Sequence, residues 1–129
     1  MRALIVDDVE MNRDLLAIIL EGRAATVSAS TGEEALWLVE DALRRGNYFD
    51  LICMDIGLPG ISGHEALKSI REMEAAHGAV PAKVFMVTGS TSPDDMVDAL
   101  LVGGCDDYLT KPLMRNSFIT LLEKHGLGS

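Results

Sequence analysis

Five short apolar runs alternate with five longer stretches patterned like amphipathic helices, and little chain separates one from the next. The runs are residues 3–7, 24–29, 50–54, 83–87 and 105–109; the helical patterns cover about 11–22, 30–45, 62–77, 92–102 and 114–125. Such alternation commits a chain to a parallel sheet, because each crossover must carry it back to the same edge before the next strand begins. Right-handed crossovers then put helices on both faces of the sheet. The expected fold is a doubly wound α/β domain: a five-stranded parallel sheet, five helices, three layers. At 129 residues it is read as one domain, 1–129, with its core at about 2–122.

Local chemistry punctuates the pattern. Met11, Leu15, Leu16, Ile18 and Ile19 recur at helical spacing, and Gly22 ends that helix. Ser30-Thr31-Gly32-Glu33 resembles a capping box, with the serine and the glutamate satisfying each other's free amides. The helix it opens turns Ala35, Leu36, Leu38, Val39, Ala42 and Leu43 inward, assigns Trp37 to packing, and closes at Gly46. Ser62 with Glu65 forms a second capping box after the loop Gly57-Leu58-Pro59-Gly60-Ile61. Ser92-Pro93 starts the fourth helix, and Gly103-Gly104 break it. His64, His77 and His125 show no mutual spacing that suggests a site, and His64 is expected to be exposed on the first turn of its helix.

Composition excludes several classes. The net charge of −9 argues against a nucleic-acid or anionic-membrane surface, since both need cationic patches. No apolar run approaches bilayer length, and Met1 directly before the first strand leaves no room for a signal peptide, so a cytoplasmic protein is expected. Cys53 and Cys105 sit in apolar runs without metal-ligand or CxxC spacing, and are expected to be buried thiols.

Four of the runs end in reactive polar residues: Asp7-Asp8, Asp55, Thr88, and Lys111 followed by Pro112. Ligands of open α/β sheets bind beyond the carboxyl ends of the strands, so these groups should converge on one small site. Asp7 and Asp8 can both face it only if a loop begins there, since adjacent strand residues point to opposite sides. Crowded carboxylates repel one another unless a cation compensates. Magnesium suits the site, because it takes oxygen ligands and keeps waters that a phosphate oxygen can replace. The expected ligands are Asp8, Asp55 and the backbone carbonyl of Gly57, with Asp7 acting mostly through water. A cis Lys111–Pro112 bond, which proline makes accessible, would turn the lysine over the sheet edge.

At this point the chain resembles the receiver domain of two-component response regulators. The residues that carry the resemblance are Val6-Asp7-Asp8, Met54-Asp55 with Leu58-Pro59 and Gly63, Val87-Thr88-Gly89, and Gly104-Cys105-Asp106-Asp107-Tyr108-Leu109-Thr110-Lys111-Pro112. The wording is most similar to receivers of hybrid kinases or to stand-alone receivers. The resemblance implies a chemotaxis-regulator-like, flavodoxin-like strand order, 2-1-3-4-5. It implies that Asp55 accepts a phosphoryl group from a phosphohistidine on a sensor histidine kinase or histidine phosphotransfer protein. Asp7 and Asp8 would hold Mg2+, while Lys111 and Thr88 would contact phosphoryl oxygens.

Thr88 moving toward the phosphoryl group would let Tyr108, half-buried with its hydroxyl in water beforehand, swing inward. That would remodel the face made by the fourth helix, fifth strand and fifth helix for a downstream protein target. Asp94, Asp95 and Asp98 would make that face acidic, favouring a basic protein partner over DNA. Gly57, Gly89 and Ser90 are small, so water should reach the acyl phosphate and shorten its life. The chain is read as a signalling switch rather than an enzyme, one that promotes its own phosphorylation and dephosphorylation. No effector domain fits within the 129 residues, so a stand-alone regulator or a receiver from a larger protein is expected.

Two rival functions share parts of this pattern. An aspartate-nucleophile, Mg-dependent phosphatase of the haloacid-dehalogenase type wants a second aspartate two residues after the nucleophile, where this chain has Gly57. A flavin-binding, flavodoxin-like electron carrier wants a Ser/Thr-rich phosphate loop after the first strand, where Asp7-Asp8-Val9-Glu10 would repel phosphate.

Overall fold

The apolar runs do become parallel strands, and their side-chain alternation shows why. In a computed structural model that describes residues 1–89 and 104–127, the order is β1 (Arg2–Val6), α1 (Glu10–Leu20), β2 (Ala25–Ala29), α2 (Gly32–Arg45), β3 (Leu51–Asp55), α3 (Gly63–Ala76), β4 (Lys83–Thr88), β5 (Asp107–Thr110) and α4 (Arg115–Lys124). All pairings are parallel, and the sheet runs β2-β1-β3-β4-β5. The run at 24–29 becomes the edge strand β2, with mostly exposed side chains. The fourth helix expected over 92–102, with Ser92, Pro93, Asp94, Asp95, Asp98 and the break at Gly103, lies outside the described residues, as does Ser90.

Successive strand residues feed two separate cores. Leu4, Val6, Ile52, Met54, Val84 and Met86 pack toward α2 and α3, against Ala35, Val39, Leu67 and Ile70. Ala3, Ile5, Leu51, Cys53 and Phe85 pack the other way, against Leu16, Ile19 and Leu20 of α1 and Phe118 and Leu122 of α4. The central strands are therefore apolar at almost every position, as strands covered on both faces must be. Phe85 and Phe118 meet edge to face at 6.1 Å. With both rings fully buried, truncating either to alanine is expected to cost about 3–5 kcal/mol.

Four expectations need correction. The first capping box is displaced by one residue: Thr31 is the N-cap, accepting from the Glu34 amide at 3.1 Å, and Glu34 rather than Glu33 reaches back to Ser30. Trp37 is 61% exposed; Ala35, Val39, Ala42 and Leu43 already fill the inward stripe, and Trp37 falls on the opposite side of the helix. His64 is half-buried rather than exposed. On α1, Leu16, Ile19 and Leu20 take the sheet-facing positions, which leaves Met11 and Ile18 in solvent.

The amino edge of the sheet is tied by ions. Arg71 on α3 donates to Glu74 (2.8 Å), to the Ala82 carbonyl (2.8 Å), to the Gly104 carbonyl and to Asp106 (3.0 Å). Asp106 in turn accepts from the Val84 amide, and the buried Glu74 from the Ala82 amide. The Asp106 amide itself donates to the Val84 carbonyl at 2.8 Å, at the foot of the ladder, and β5 starts at Asp107, two residues later than its apolar run. Asp107 meets His125 (2.9 Å) and Lys124 (3.1 Å), fastening the end of α4 to the start of β5. Burial raises the pKa of Asp107, but the His125, Tyr108-amide and Lys124 contacts outweigh that and hold it below the ordinary carboxylate value.

Candidate phosphoryl and metal site at the carboxyl edge

The opposite edge gathers the residues that the strand ends marked. β1 stops at Val6, so Asp7 and Asp8 lie in the loop before α1, as both must if they are to face one site. The Asp7 amide still donates to Ala29 across the edge. Asp7 is 2% exposed and Asp55, the last residue of β3, is 6% exposed, whereas Asp8 is open to solvent. One carboxylate oxygen from each of the three lies within 4.8 Å of the others.

Lys111 reaches into this group. Its Nζ stands 3.0 Å from Asp55 Oδ2 and 3.2 Å from Asp7 Oδ2. Partial burial lowers the Lys111 pKa, but the hydrogen bonds and charges of Asp55 and Asp7 more than reverse this and raise it above the ordinary ammonium value. The backbone supports the reach: the Lys111 amide donates to the Thr88 carbonyl at 2.7 Å, and the Lys111–Pro112 bond is cis. Thr88 ends β4, paired with Thr110, and is 6% exposed. Asp7, Asp8, Asp55, Thr88 and Lys111 thus come to one edge, though they lie far apart in the chain.

The loop leaving Asp55 is tightly specified. Its first amides are spoken for: Ile56 donates to the Val87 carbonyl, and Gly57 to Asp55 Oδ1 at 3.0 Å. Gly63 is required because a Cβ there would lie 2.4 Å from the Asp55 carbonyl oxygen. At Gly57 a Cβ would meet only Asp55 Oδ1, at 3.9 Å, and at Gly89 nothing among the described residues. Tyr108 departs from expectation. It is 9% exposed, registered opposite Met86, and already part of a buried apolar cluster that includes Met86.

Several contributors were not marked by the sequence. Val9 and Asn12 donate to Asp7 Oδ1, at 2.9 and 3.5 Å, and Arg13 Nη1 donates to the Asp7 carbonyl at 2.8 Å. The available signal was their position on the first turn after Asp7-Asp8. Three carboxylates of oxygen-donor character against one ammonium leave a net negative, partly open pocket, and such a donor set fits a hard divalent cation.

The comparisons agree with this geometry. Residues 3–123 match the family described as the response regulator receiver domain. The two-component response regulator ORR41 of Oryza sativa subsp. japonica is 34% identical over 98% of this chain and 95% of its own length. The sensor histidine kinase GacS of Pseudomonas protegens is 32% identical over 95% of this chain, but only 13% of the kinase is covered. Among solved structures, the receiver domain of Ssk1 from Saccharomyces cerevisiae, crystallised with the histidine phosphotransfer protein Ypd1, superposes with a TM-score of 0.84 at 31% identity, covering 99% of this chain and 88% of that one. A CheY-like receiver from Methanospirillum hungatei gives a TM-score of 0.80 at 30% identity over 96% and 91% of the two chains. Neither rival function finds support in these relatives. With both its sequence and its sheet matched, the chain belongs to the response regulator receiver domain family.

Proposed function

We propose that Asp55 is the phosphoacceptor of this receiver, taking its phosphoryl group from a phosphohistidine on a sensor histidine kinase or histidine phosphotransfer protein. The observation that carries the reading is Lys111 Nζ, within 3.2 Å of both Asp55 and Asp7 at an edge where three carboxylates converge. An Asp55 oxygen attacks phosphorus, the P–N bond breaks, and the imidazole nitrogen keeps the electron pair and is protonated from solvent. Phosphoryl transfer asks for positioning and charge neutralisation more than for covalent help. The Gly57 amide holds Asp55 Oδ1, and Lys111 meets Oδ2. Lys111 neutralises charge beside it, and the Thr88 hydroxyl would accompany a phosphoryl oxygen. Asp8, Asp55 and the Gly57 carbonyl would hold Mg2+, with Asp7 acting through water. Bound there, the ion would supply neutralising charge to the phosphoryl oxygens.

The signalling step belongs to the same reading. Tyr108 is buried in this conformation, so phosphorylation would hold it inward rather than draw it in. Moving such an element from 1:99 to 99:1 takes about 5.5 kcal/mol of differential stabilisation, within reach of a few charge-assisted bonds. The face of β5 and α4, with the helix expected over 92–102, would then engage a downstream protein rather than nucleic acid. The missing side chain at Gly57, where a Cβ would stand 3.9 Å from Asp55 Oδ1, supports ready access of water and a short-lived acyl phosphate. A sheet that draws on residues from Arg2 to Thr110, with α4 running to Lys124, supports reading 1–129 as one receiver unit; its role is read as a switch rather than an enzyme. Two buried free thiols fit a reducing, cytoplasmic setting, and burial pushes Cys53 up to about 12. Among the described residues no helix is long and apolar enough to cross a membrane.

The test is incubation with acetyl phosphate and Mg2+ followed by intact mass measurement. The expected result is one phosphoryl adduct, absent from Asp55→Asn and after chelation. An adduct that persists in Asp55→Asn would place the acceptor elsewhere.

A further inference from the structure

The displaced capping box leaves Glu33 without the task its position suggests, and its carboxylate is used elsewhere. Glu34 caps back to Ser30, while Glu33 Oε1 accepts from the Ile61 amide at 2.9 Å, across 28 residues of chain. Ile61 belongs to the loop that leaves Asp55, carries Gly57 and enters α3 at Ser62. Two glycines make the approach possible. A Cβ on Gly60, whose φ is +76°, would lie 2.7 Å from Glu33 Oε1, and a Cβ on Gly32 would lie 2.6 Å from Ile61 Cγ1. The loop's other hydrogen bonds are local or made to backbone: Gly57 to Asp55, Ile56 to the Val87 carbonyl, and Gly63 to the Ile56 carbonyl at 3.1 Å. Among the described residues, Glu33 supplies the side-chain hydrogen bond that ties this loop to another helix.

We infer that Glu33 is a positioning residue for the phosphoryl site, fixing the 57–62 loop so that the Gly57 carbonyl is held ready for the divalent cation. This rests on the reading of the carboxyl edge given above. The first turn of α2 thereby acts on a site to which it contributes no ligand. A carboxylate serves as acceptor here, and the amide oxygen of glutamine can take the same bond, whereas alanine cannot.

Titration of the full chain with Mg2+, followed by calorimetry, separates this role from general stability. Glu33→Ala is expected to weaken Mg2+ about three- to ten-fold, what one solvent-accessible hydrogen bond is worth. Glu33→Gln should stay within about two-fold of wild type on the same scale. Acetyl phosphate labelling at saturating Mg2+ should change little in either variant, so the loss falls on cation binding and not on transfer. Gly60→Ala, which crowds the Glu33 carboxylate, should weaken Mg2+ in the same direction, and amide exchange at Ile61 should quicken in Glu33→Ala. Unchanged Mg2+ affinity in both Glu33→Ala and Gly60→Ala, or a Gln variant as weak as the Ala variant, would overturn the positioning role while leaving the site itself standing. Wild-type protein that binds no Mg2+ would overturn both.

Discussion

The two edges of one sheet handle charge in opposite ways. At the amino edge, Glu74, Asp106 and Asp107 face Arg71, Lys83 and Lys124, and carboxylate oxygens there also accept from the Ala82, Val84 and Tyr108 amides. Acid and base are balanced and hydrogen-bonded. At the carboxyl edge, Asp7 and Asp55 share the ammonium of Lys111, Arg13 reaches only the Asp7 carbonyl, and among the described residues Asp8 has no salt bridge. Both edges are rich in aspartate, so composition does not separate them; the ratio of cations does. A balanced edge closes on itself and serves stability. An edge with more carboxylates than cations stores repulsion, and a divalent cation bound there would relieve it and offset the charge that a phosphoryl group adds.

Of the two edges, the balanced one should cost more stability when broken. Arg71→Ala removes donors from Glu74, Asp106 and two carbonyls at once, leaving a carboxylate 5% exposed without its partner. A loss of about 3 kcal/mol in denaturant unfolding is expected, the lower end for breaking a buried ion pair. Mg2+ affinity should not move with it, because the network lies at the far end of the strands.

A smaller effect is expected from acid. The pKa of Asp107 is lowered in the folded chain, so its stabilising contribution is present above the unfolded carboxylate value, near 3.9, and is lost as pH falls through the folded value. Wild type should therefore lose more stability than Asp107→Asn between neutral pH and strong acid, measured by unfolding midpoints along a pH series. Lys111 has the opposite sign. Its raised pKa makes the contribution full below the unfolded ammonium value, near 10.4, and lost only as pH climbs through the higher folded one.

How much of this was legible beforehand divides along the same line. Strand ends are written locally, in apolar runs that stop at Asp7, Asp55, Thr88 and Lys111, and the rule that ligands sit beyond strand ends did the rest. The amino-edge network was not legible, since Arg71, Glu74, Ala82 and Asp106 acquire meaning only once α3 lies back across β4. Glu33 was misread for a related reason. Ser30-Thr31-Gly32-Glu33-Glu34 offers two cap registers one residue apart, and only the position of Ile61 decides which glutamate is spare. Trp37 was assigned to packing on residue type, while the helix had already filled its inward stripe with smaller side chains. Tyr108 needed its pairing with Met86 to show that it joins the buried cluster.

The contrast between the edges is tested most directly by unfolding wild type, Asp8→Asn and Asp106→Asn with and without Mg2+. Mg2+ at ten times its dissociation constant should stabilise wild type by about 1.4 kcal/mol. Asp8→Asn should be more stable than wild type without the ion and lose most of that gain. Asp106→Asn should be less stable and keep the gain in full. An Asp8→Asn protein that is destabilised and still responds fully to Mg2+ would contradict the account.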